Sequence, residues 1–488
     1  MKHTLKKGLL FFLIILLLFI ARPAFFLLNT YYNDKHNTST TRQGYINDAS
    51  RLNETKVEEI PLKKDSAEMI QQIIELIKQA GKENKKISIA GARHSMGGHT
   101  LTAAGIMLNM SNLNFMKLDS TGDILTVGAG ALWSQVIPFL DKQGKSVLVM
   151  QSNNSFSVGG SVSVNCHGWQ VNSPPIAATV ESFRLIDAKG QLLNCSRTEN
   201  AALFSLALGG YGLFGVIADV NLRVTDNKMY KISSKKILSK DYRSAFDAFV
   251  GKEKNGMAYG RINVTKQNFM EEAIITKFTL IDSKTIKPLE AGSFQKLRRT
   301  VFRGSAKSDY GKKLRWSAEK FSSKIIQGKT FSRNQLQNEG VEVFENTQPG
   351  YTDILHEYFI LKDNLSKFIE GTRKIIPAAK VDLLNITVRN VKADTDVYLA
   401  YANEEVFGFV MLFNQATDSL AEKEMILVTQ QLIDLAINCK GKYYLPYRLH
   451  ATKDQMIKAY PNAKDFFILK KNYDPQELFQ NKFYQKYK

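Results

Sequence analysis

The sequence predicts an α+β protein of at least two domains, preceded by one N-terminal transmembrane helix. Three observations support this prediction. The chain has 488 residues, which is too long for one ordinary hydrophobic core. Segments with strand alternation are mixed with segments of helical spacing along the whole body. An apolar run from Leu9 to Leu28 stands near the N-terminus.

Composition excludes several classes of protein. Hydrophobic residues make up 44% and charged residues 23%, which is typical of a globular fold. Lysine and arginine total 66 against 46 acidic residues, a formal net charge of +20. These charges are spread along the chain without a nucleic-acid motif, which favours a surface near anionic lipid headgroups. Three cysteines without a Cys-x-x-Cys pair predict neither a disulfide framework nor a metal site.

The N-terminus has the features of a membrane segment. Lys2, Lys6 and Lys7 precede the apolar run, which is interrupted only by Arg22 and Pro23. Twenty such residues span a bilayer, and a signal peptide is the alternative. No Ala-x-Ala cleavage site follows, so we expect an uncleaved single-pass anchor within residues 1–30. The positive-inside rule places the body outside the cytoplasm, in the periplasm, although Arg22 and Lys35 weaken that orientation. Residues 31–54 are polar and predict a tether.

A glycine-rich loop follows the first predicted strand–helix–strand unit. A strand is expected at 57–61, a helix capped by Ser66 and ended by Gly81, and a strand at 87–90. The loop then reads Gly91-Ala92-Arg93-His94-Ser95-Met96-Gly97-Gly98-His99. Glycines allow close approach to backbone N–H groups, which suits a phosphate group. Taken alone, a tight turn between strands fits the loop equally well.

Two further glycine segments occur downstream. One runs from Ser157 to Gly168 and includes Gly159-Gly160, and the other runs from Leu208 to Val220. A Gly128-Ala129-Gly130 turn lies before the first of them and leads into a predicted helix. A strand hairpin is expected around Gly190.

In this order, the three segments resemble the flavin-binding segments of the vanillyl-alcohol oxidase and p-cresol methylhydroxylase (PCMH-type) superfamily. The nearest resemblance is to alditol and aldonolactone oxidases and to decaprenylphosphoryl-ribose oxidase. Lys470, Asp474-Pro475, Phe479 and Asn481 match the C-terminal ending of that superfamily. The resemblance implies a two-subdomain FAD-binding fold over residues 55–225, an α+β substrate (cap) domain over 226–442, and a C-terminal segment, 443–488, that completes the FAD domain.

The resemblance also implies which residues bind FAD. His94 is expected to carry the flavin covalently, with a noncovalent histidine as the alternative, and Cys166 is not favoured as a second tether. His167 is expected near the flavin ring. The full predicted set is Gly91, Ala92, Arg93, His94, Ser95, Met96, Gly97, Gly159, Gly160, Ser163, His167, Gly212, Gly215, Val216, Ile217 and Asn481.

Alcohol oxidation needs a group that takes the hydroxyl proton and a positive charge near the developing alkoxide. Arg389 lies in an alternating strand and supplies such a charge. Glu357 resembles the Glu-Tyr-Phe strand of alditol-type oxidases, and His450 and Lys453 resemble their His-x-x-Lys motif. Each has a structural alternative, a surface ion pair in the case of Arg389 and Lys453. Tyr447 is a further substrate ligand.

The predicted function is a membrane-anchored, FAD-dependent oxidoreductase acting on a CH–OH group of a sugar, polyol or aldonolactone. Alternatives are oxidation of a lipid-linked sugar, reduction of a carbon–carbon double bond, and a flavin-binding scaffold without turnover. The electron acceptor is oxygen or a quinone. The basic, helix-prone stretch from Lys284 to Asn346 is either a solvated insertion or a membrane-facing surface.

Overall fold

The computed structural model describes residues 21–36, 41–253, 255–290 and 294–488. Most of the predicted membrane segment therefore lies outside the described residues, in 1–20. Residues 21–36 form a helix, α1. Within the described ranges, no helix combines the length and apolar character needed to cross a bilayer.

The first of three sheets is small and parallel, with strand order β1-β3-β2. Its strands are β1 (Glu58–Ile60), β2 (Ile87–Ala90) and β3 (Ile106–Asn109). Helix α2 (Ser66–Glu83) covers it by burying Met69, Ile73 and Ile77 at helical spacing. The prediction of Ser66 as the N-cap of α2 was wrong by one residue, because the Asp65 side chain accepts hydrogen bonds from the first free N–H groups of the helix. The predicted end at Gly81 was also wrong, since the helix continues to Glu83 and the left-handed Asn84 ends it.

The second sheet has β9 near its middle, and all its registered strand pairs are antiparallel. Its strand order is β4-β5-β9-β7-β8, and β6 also pairs with β9. The strands are β4 (Met116–Leu118), β5 (Ile124–Gly128), β6 (Lys145–Val147), β7 (Val180–Ile186), β8 (Leu192–Ser196) and β9 (Val216–Asp226). Three helices accompany it, α3 (Trp133–Asp141), α4 (Val158–Ser163) and α5 (Ala201–Ala207). The second glycine segment thus forms the short helix α4.

The third sheet has eight strands in the order β13-β10-β12-β11-β15-β16-β14-β17. The strands are β10 (Met229–Leu238), β11 (Met257–Ile262), β12 (Glu272–Ile281), β13 (Thr330–Ser332), β14 (Tyr351–Leu361), β15 (Asp382–Val391), β16 (Val406–Ala416) and β17 (Lys442–Tyr443). The helices of this region are α6 (Tyr242–Phe249), α7 (Gln295–Arg303), α8 (Asp309–Ile325), α9 (Arg333–Gln337), α10 (Leu365–Ala378) and α11 (Ser419–Asn438). All registered strand pairs of this sheet are antiparallel.

The C-terminal segment returns to the small parallel sheet. It contains α12 (Lys453–Ala459), α13 (Ala463–Tyr473) and α14 (Lys482–Tyr487). Phe479 bridges to Ile87 in parallel, and Gln480 N donates to the Ile87 carbonyl at 2.9 Å. A fully buried ion pair joins Lys470 to Asp474, whose carboxylate also accepts two backbone N–H groups.

Residues 41–54 do not form the predicted polar tether. Asp48, Ser50 and Asn53 are buried. Asp48 accepts a hydrogen bond from Gly98 N at 2.7 Å, and Ala49 N donates to the Arg93 carbonyl at 3.1 Å. Their polar side chains are therefore used to hold the first glycine loop in place rather than to solvate a linker.

Candidate active site

The three glycine segments meet at one cavity, which β14 and β15 of the eight-stranded sheet close from the other side. The space in it, counted together with the open solvent at its mouth, is about 1300 Å³. The predicted cofactor residues that line it are Gly91, Ala92, Arg93, His94, Ser95, Gly159, Gly160, Ser163, His167, Gly212, Gly215 and Ile217. The predicted catalytic residues that line it are Glu357 and Arg389.

Four predicted cofactor residues do not line the cavity. Met96 is buried, and its sulfur accepts from Leu355 N. Gly97 lies under the Tyr447 carbonyl, which a Cβ would approach to 2.4 Å. The side chains of Val216 and Ile217 lie on opposite faces of β9, because neighbouring strand residues alternate between faces, and Val216 packs in the core on the side away from the cavity. Asn481 caps α14 and donates to the Tyr211 carbonyl at 2.9 Å, so it supports the wall from behind.

Glycine is required where the first two segments touch. A Cβ on Gly91 would lie 2.0 Å from Ser157 Oγ, and the neighbouring Ala92 N–H donates to that same oxygen at 3.3 Å. A Cβ on Gly159 would lie 2.7 Å from the Ala129 side chain. These contacts leave backbone rather than side chains facing the cavity, as close approach of a phosphate requires.

Several buried polar atoms of the wall have no hydrogen-bond partner within the described part of the chain. They are Ser95 Oγ, Thr100 Oγ1, His167 Nδ1 and Arg389 Nε. Buried polar atoms in folded proteins almost always have partners. Together with the exposed glycine backbone, they fit a large polar cofactor such as FAD.

His94 is held by its ring nitrogen and by stacking. Its Nε2 lies 3.1 Å from the Ser155 carbonyl, and its ring stacks on Phe156 with centroids 4.3 Å apart. Burial lowers the pKa of His94, which the Ser155 carbonyl only partly offsets. The imidazole is therefore neutral at pH 7, and a proton on Nε2 leaves Nδ1 with its lone pair.

A buried acid–base cluster joins the second glycine segment to the opposite wall. His167 Nε2 lies 2.6 Å from Glu357 Oε1, and the Tyr447 hydroxyl donates to Glu357 Oε2 at 3.2 Å. Arg389 donates to Ser152 Oγ at 2.9 Å. Burial raises the pKa of Glu357, but His167, Arg389 and Tyr447 together outweigh burial and hold that pKa below its usual value. Burial beside Glu357 raises the pKa of Tyr447, so its hydroxyl remains a donor.

His450 and Lys453 are not brought to this cavity. His450 is buried between Thr429 and Glu422, at 2.8 Å and 3.0 Å. Lys453 is the exposed first residue of α12 and donates to the Lys488 carbonyl at 2.9 Å. Because Thr452 caps α12, the chain turns away from the cavity between Tyr447 and Lys453. The prediction of a catalytic His-x-x-Lys pair is corrected accordingly.

The cavity also contains residues that the sequence analysis missed. Gln151, Ser152 and Asn153 line it, as do Phe156 and Tyr444. The signal was present as an uncharged polar run directly before the second glycine segment. Such runs are common in loops, so the sequence alone did not distinguish this one.

The comparisons first define the class of domain. Residues 66–196 match the family of the FAD binding domain, and this match contains the first two glycine segments. The predicted resemblance is thereby confirmed for this part of the chain, which is an FAD-binding domain with FAD as its cofactor.

Particular relatives match about a third of this chain. An L-gulonolactone oxidase of Bos taurus is 29% identical over 155 residues, covering 32% of this chain and 35% of the relative. Cytokinin dehydrogenase 2 of Arabidopsis thaliana is 31% identical over 138 residues, covering 28% of each chain. A putative D-arabinono-1,4-lactone oxidase of Neurospora crassa is 25% identical over 170 residues, covering 35% of this chain and 30% of the relative. The chain thus spans about a third of the length of these relatives.

Proposed function

We propose that this protein is an FAD-dependent oxidoreductase that oxidises an alcohol carbon of a sugar, polyol or aldonolactone. The observation that carries the proposal is the Glu357–His167 pair, buried in the wall that faces the FAD loops. The similarity to lactone oxidases supports a sugar-like substrate. The similarity to a cytokinin dehydrogenase is of equal extent, so the argument for an alcohol rests on the charged wall.

Bound FAD supplies the hydride acceptor. Glu357 accepts the hydroxyl proton of the substrate, since its lowered pKa keeps it ionised at neutral pH. His167 and Tyr447 hold the two carboxylate oxygens in place. The Arg389 guanidinium stabilises the negative charge that develops on the substrate oxygen.

Arg389 has the geometry for this role. It is half-buried, and its Nη2 is fixed by Ser152, while Nε has no partner in the described part of the chain. Nη1 also donates to the His167 carbonyl at 3.4 Å. These two orienting contacts leave the remaining donors of the guanidinium for substrate.

The covalent attachment of FAD to His94 is part of the proposal. Its contact with Ser155 and its stacking on Phe156 fix the ring, and its neutral state at pH 7 keeps Nδ1 nucleophilic. The position of His94 in the first glycine loop supports attachment at the edge of the flavin.

We also propose that residues 9–28 anchor the protein in a membrane, with the body outside the cytoplasm. The support is the apolar composition of this run and the three lysines before it. An anchored enzyme has quinone within reach as an electron acceptor, beside oxygen. The anchor also favours a lipid-linked sugar as the second candidate substrate.

A substrate panel tests this function directly. The purified, FAD-loaded protein is mixed anaerobically with aldonolactones, alditols, a cytokinin and a polyprenyl-phosphate sugar, and flavin absorbance is followed. Bleaching by a lactone or alditol supports the proposal, and bleaching by the polyprenyl sugar alone supports the second candidate. Bleaching by the cytokinin alone, or by none of them, contradicts it.

A further inference from the structure

We propose that α1 and α8 form a surface that docks the body onto a bilayer containing anionic phospholipid. This α1–α8 surface consists of Phe25 and Leu28 on α1, Phe321 and Ile325 on α8, and the lysines beside Phe321. The inference rests on the membrane anchor of the proposed function. It goes beyond the anchor because it fixes which side of the body faces the lipid.

Helix α1 is clamped onto α7 and α8. Arg299 of α7 forms a two-contact ion pair with Asp34, at 2.6 Å and 2.9 Å. The Arg22 guanidinium lies 4.4 Å from the centroid of the Tyr310 ring. Phe26 packs edge-on against Tyr310 with ring centroids 5.1 Å apart. Since α1 contains the last residues of the apolar run, 21–28, and is held against α8, any bilayer that holds the earlier part of that run also lies close to α8.

Two glycines leave room for the contact between Phe26 of α1 and the α7–α8 turn. A Cβ on Gly304 would lie 2.9 Å from the Phe26 ring, and one on Gly311 would lie 3.1 Å from it. Their small size allows Phe26 to sit against the α7–α8 turn. This contact is therefore built into the packing rather than made by surface charges alone.

The apolar side chains lie on one face of each helix. Tyr310 and Phe321 are eleven residues apart, about three helical turns, and Ile325 follows one turn later. Phe321 is 67% exposed and Ile325 is 53% exposed. On α1, Phe25 and Leu28 share a face at i,i+3 and are 75% and 67% exposed. Exposed apolar groups of this size, clustered beside a clamped membrane-proximal helix, indicate an interaction surface.

The charge around these side chains matches anionic headgroups. The arginines of α7 are paired with Glu339, Asp34 and Asp353, and Lys312, Lys313 and Arg315 of α8 are paired with Asp382, Asp309 and Glu319. The positive charge for headgroups therefore comes from the lysines at the C-terminal end of α8. A cleft beside Phe321 is lined by Lys236, Lys320 and Lys324, together with Ser317 and Ser323. Lys236 is paired with Glu272, whereas Lys320 and Lys324 make no ion pair with the described residues. Ammonium and hydroxyl groups in this arrangement suit a lipid phosphate.

The test places a fluorophore on the surface of the full-length protein. Cys166, Cys195 and Cys439 are all buried, so a new surface cysteine is labelled selectively. The variants are Phe321→Cys and, as a matched control, Leu427→Cys, whose side chain is 62% exposed on α11. Each labelled protein is reconstituted into phosphatidylcholine vesicles with or without phosphatidylglycerol, with a nitroxide quencher on the acyl chains.

Strong quenching at position 321, at least about twofold weaker without phosphatidylglycerol, and little quenching at 427 would support the surface. The added substitutions Lys320→Glu and Lys324→Glu are expected to reduce quenching at 321 in the same way. Equal quenching at both positions, or none at 321 in vesicle-bound protein, overturns the inference and leaves the anchor intact. Protein that does not float with vesicles overturns the anchor and the inference together.

Discussion

His167 and Glu357 form a buried hydrogen-bonded pair that joins the two walls of the cavity. His167 lies at the end of the second glycine segment, Glu357 lies on β14, and their closest atoms are 2.6 Å apart. Both side chains are nearly inaccessible to solvent. A carboxylate so deeply buried keeps its charge only because of its partners. The pair therefore sets the protonation state of the proposed base.

Replacement of His167 is expected to shift the pH dependence of catalysis. Burial alone would raise the pKa of Glu357, and His167 is the largest opposing influence. In His167→Gln the carboxylate loses that partner, so its pKa rises. The rate of flavin reduction depends on ionised Glu357, so the acidic limb of its pH profile should move to higher pH.

Tyr447→Phe serves as the comparison for this experiment. Its contact with Glu357 is longer, 3.2 Å, and the same shift should be smaller. The pKa of Glu357 is lowered in the folded protein, so the ionised carboxylate contributes to the stability of the fold. Its contribution is present above the unfolded pKa and is lost as pH falls through the folded pKa. An acidic limb that stays in place in His167→Gln would refute the role of the pair.

His94→Ala is expected to convert tightly retained flavin into releasable flavin. In the wild type, yellow colour and ultraviolet fluorescence should migrate with the denatured polypeptide. In the variant they should be lost from the band while the folded protein still binds FAD through its glycine loops. His99→Ala controls for general loop damage, since His99 is buried and packs against Tyr211 and Phe483. Release of flavin from denatured wild type would disprove the covalent attachment alone.

The first glycine loop and its histidine were recognisable because the glycines and His94 stand together in one short stretch of sequence. Gly91 and Gly159 are close to Ser157 and Ala129 in the fold, and the choice of glycine for this close approach is visible in the sequence although the partners are distant. The helical spacing of Met69, Ile73 and Ile77 is likewise a local pattern, and α2 buries all three residues. The return of the C-terminus to Ile87 was inferred only through a family resemblance, since no local pattern encodes it.

The errors arise where side-chain direction depends on distant segments. His450 and Lys453 are close to Tyr447 in sequence, but Thr452 starts α12 and directs Lys453 to solvent. The polar residues 41–54 have the composition of a linker, yet they pack against the first loop through Asp48. Neither outcome follows from residue type or spacing.

The Lys470–Asp474 pair predicts a large loss of stability on mutation. Both side chains are buried, and the pair holds the turn that leads to Phe479. Lys470→Met leaves a buried carboxylate without its cation, which should lower the free energy of unfolding by about 3–5 kcal/mol. Lys471→Met changes an exposed lysine on the same helix and should stay within about 0.5 kcal/mol. Urea unfolding of both FAD-loaded variants measures the difference, and equal stabilities would contradict a structural role for the pair.

The most direct test of the proposed chemistry is the rate of anaerobic flavin reduction in wild type and in Glu357→Gln. A substrate found in the panel is mixed with each protein in a stopped-flow instrument, and flavin content is measured first. Glutamine keeps the shape of the side chain but cannot accept the hydroxyl proton. We predict equal flavin binding and a reduction rate lower by about 10²–10⁴-fold in the variant. An unchanged rate in flavin-loaded Glu357→Gln would contradict the assignment of Glu357 as the base.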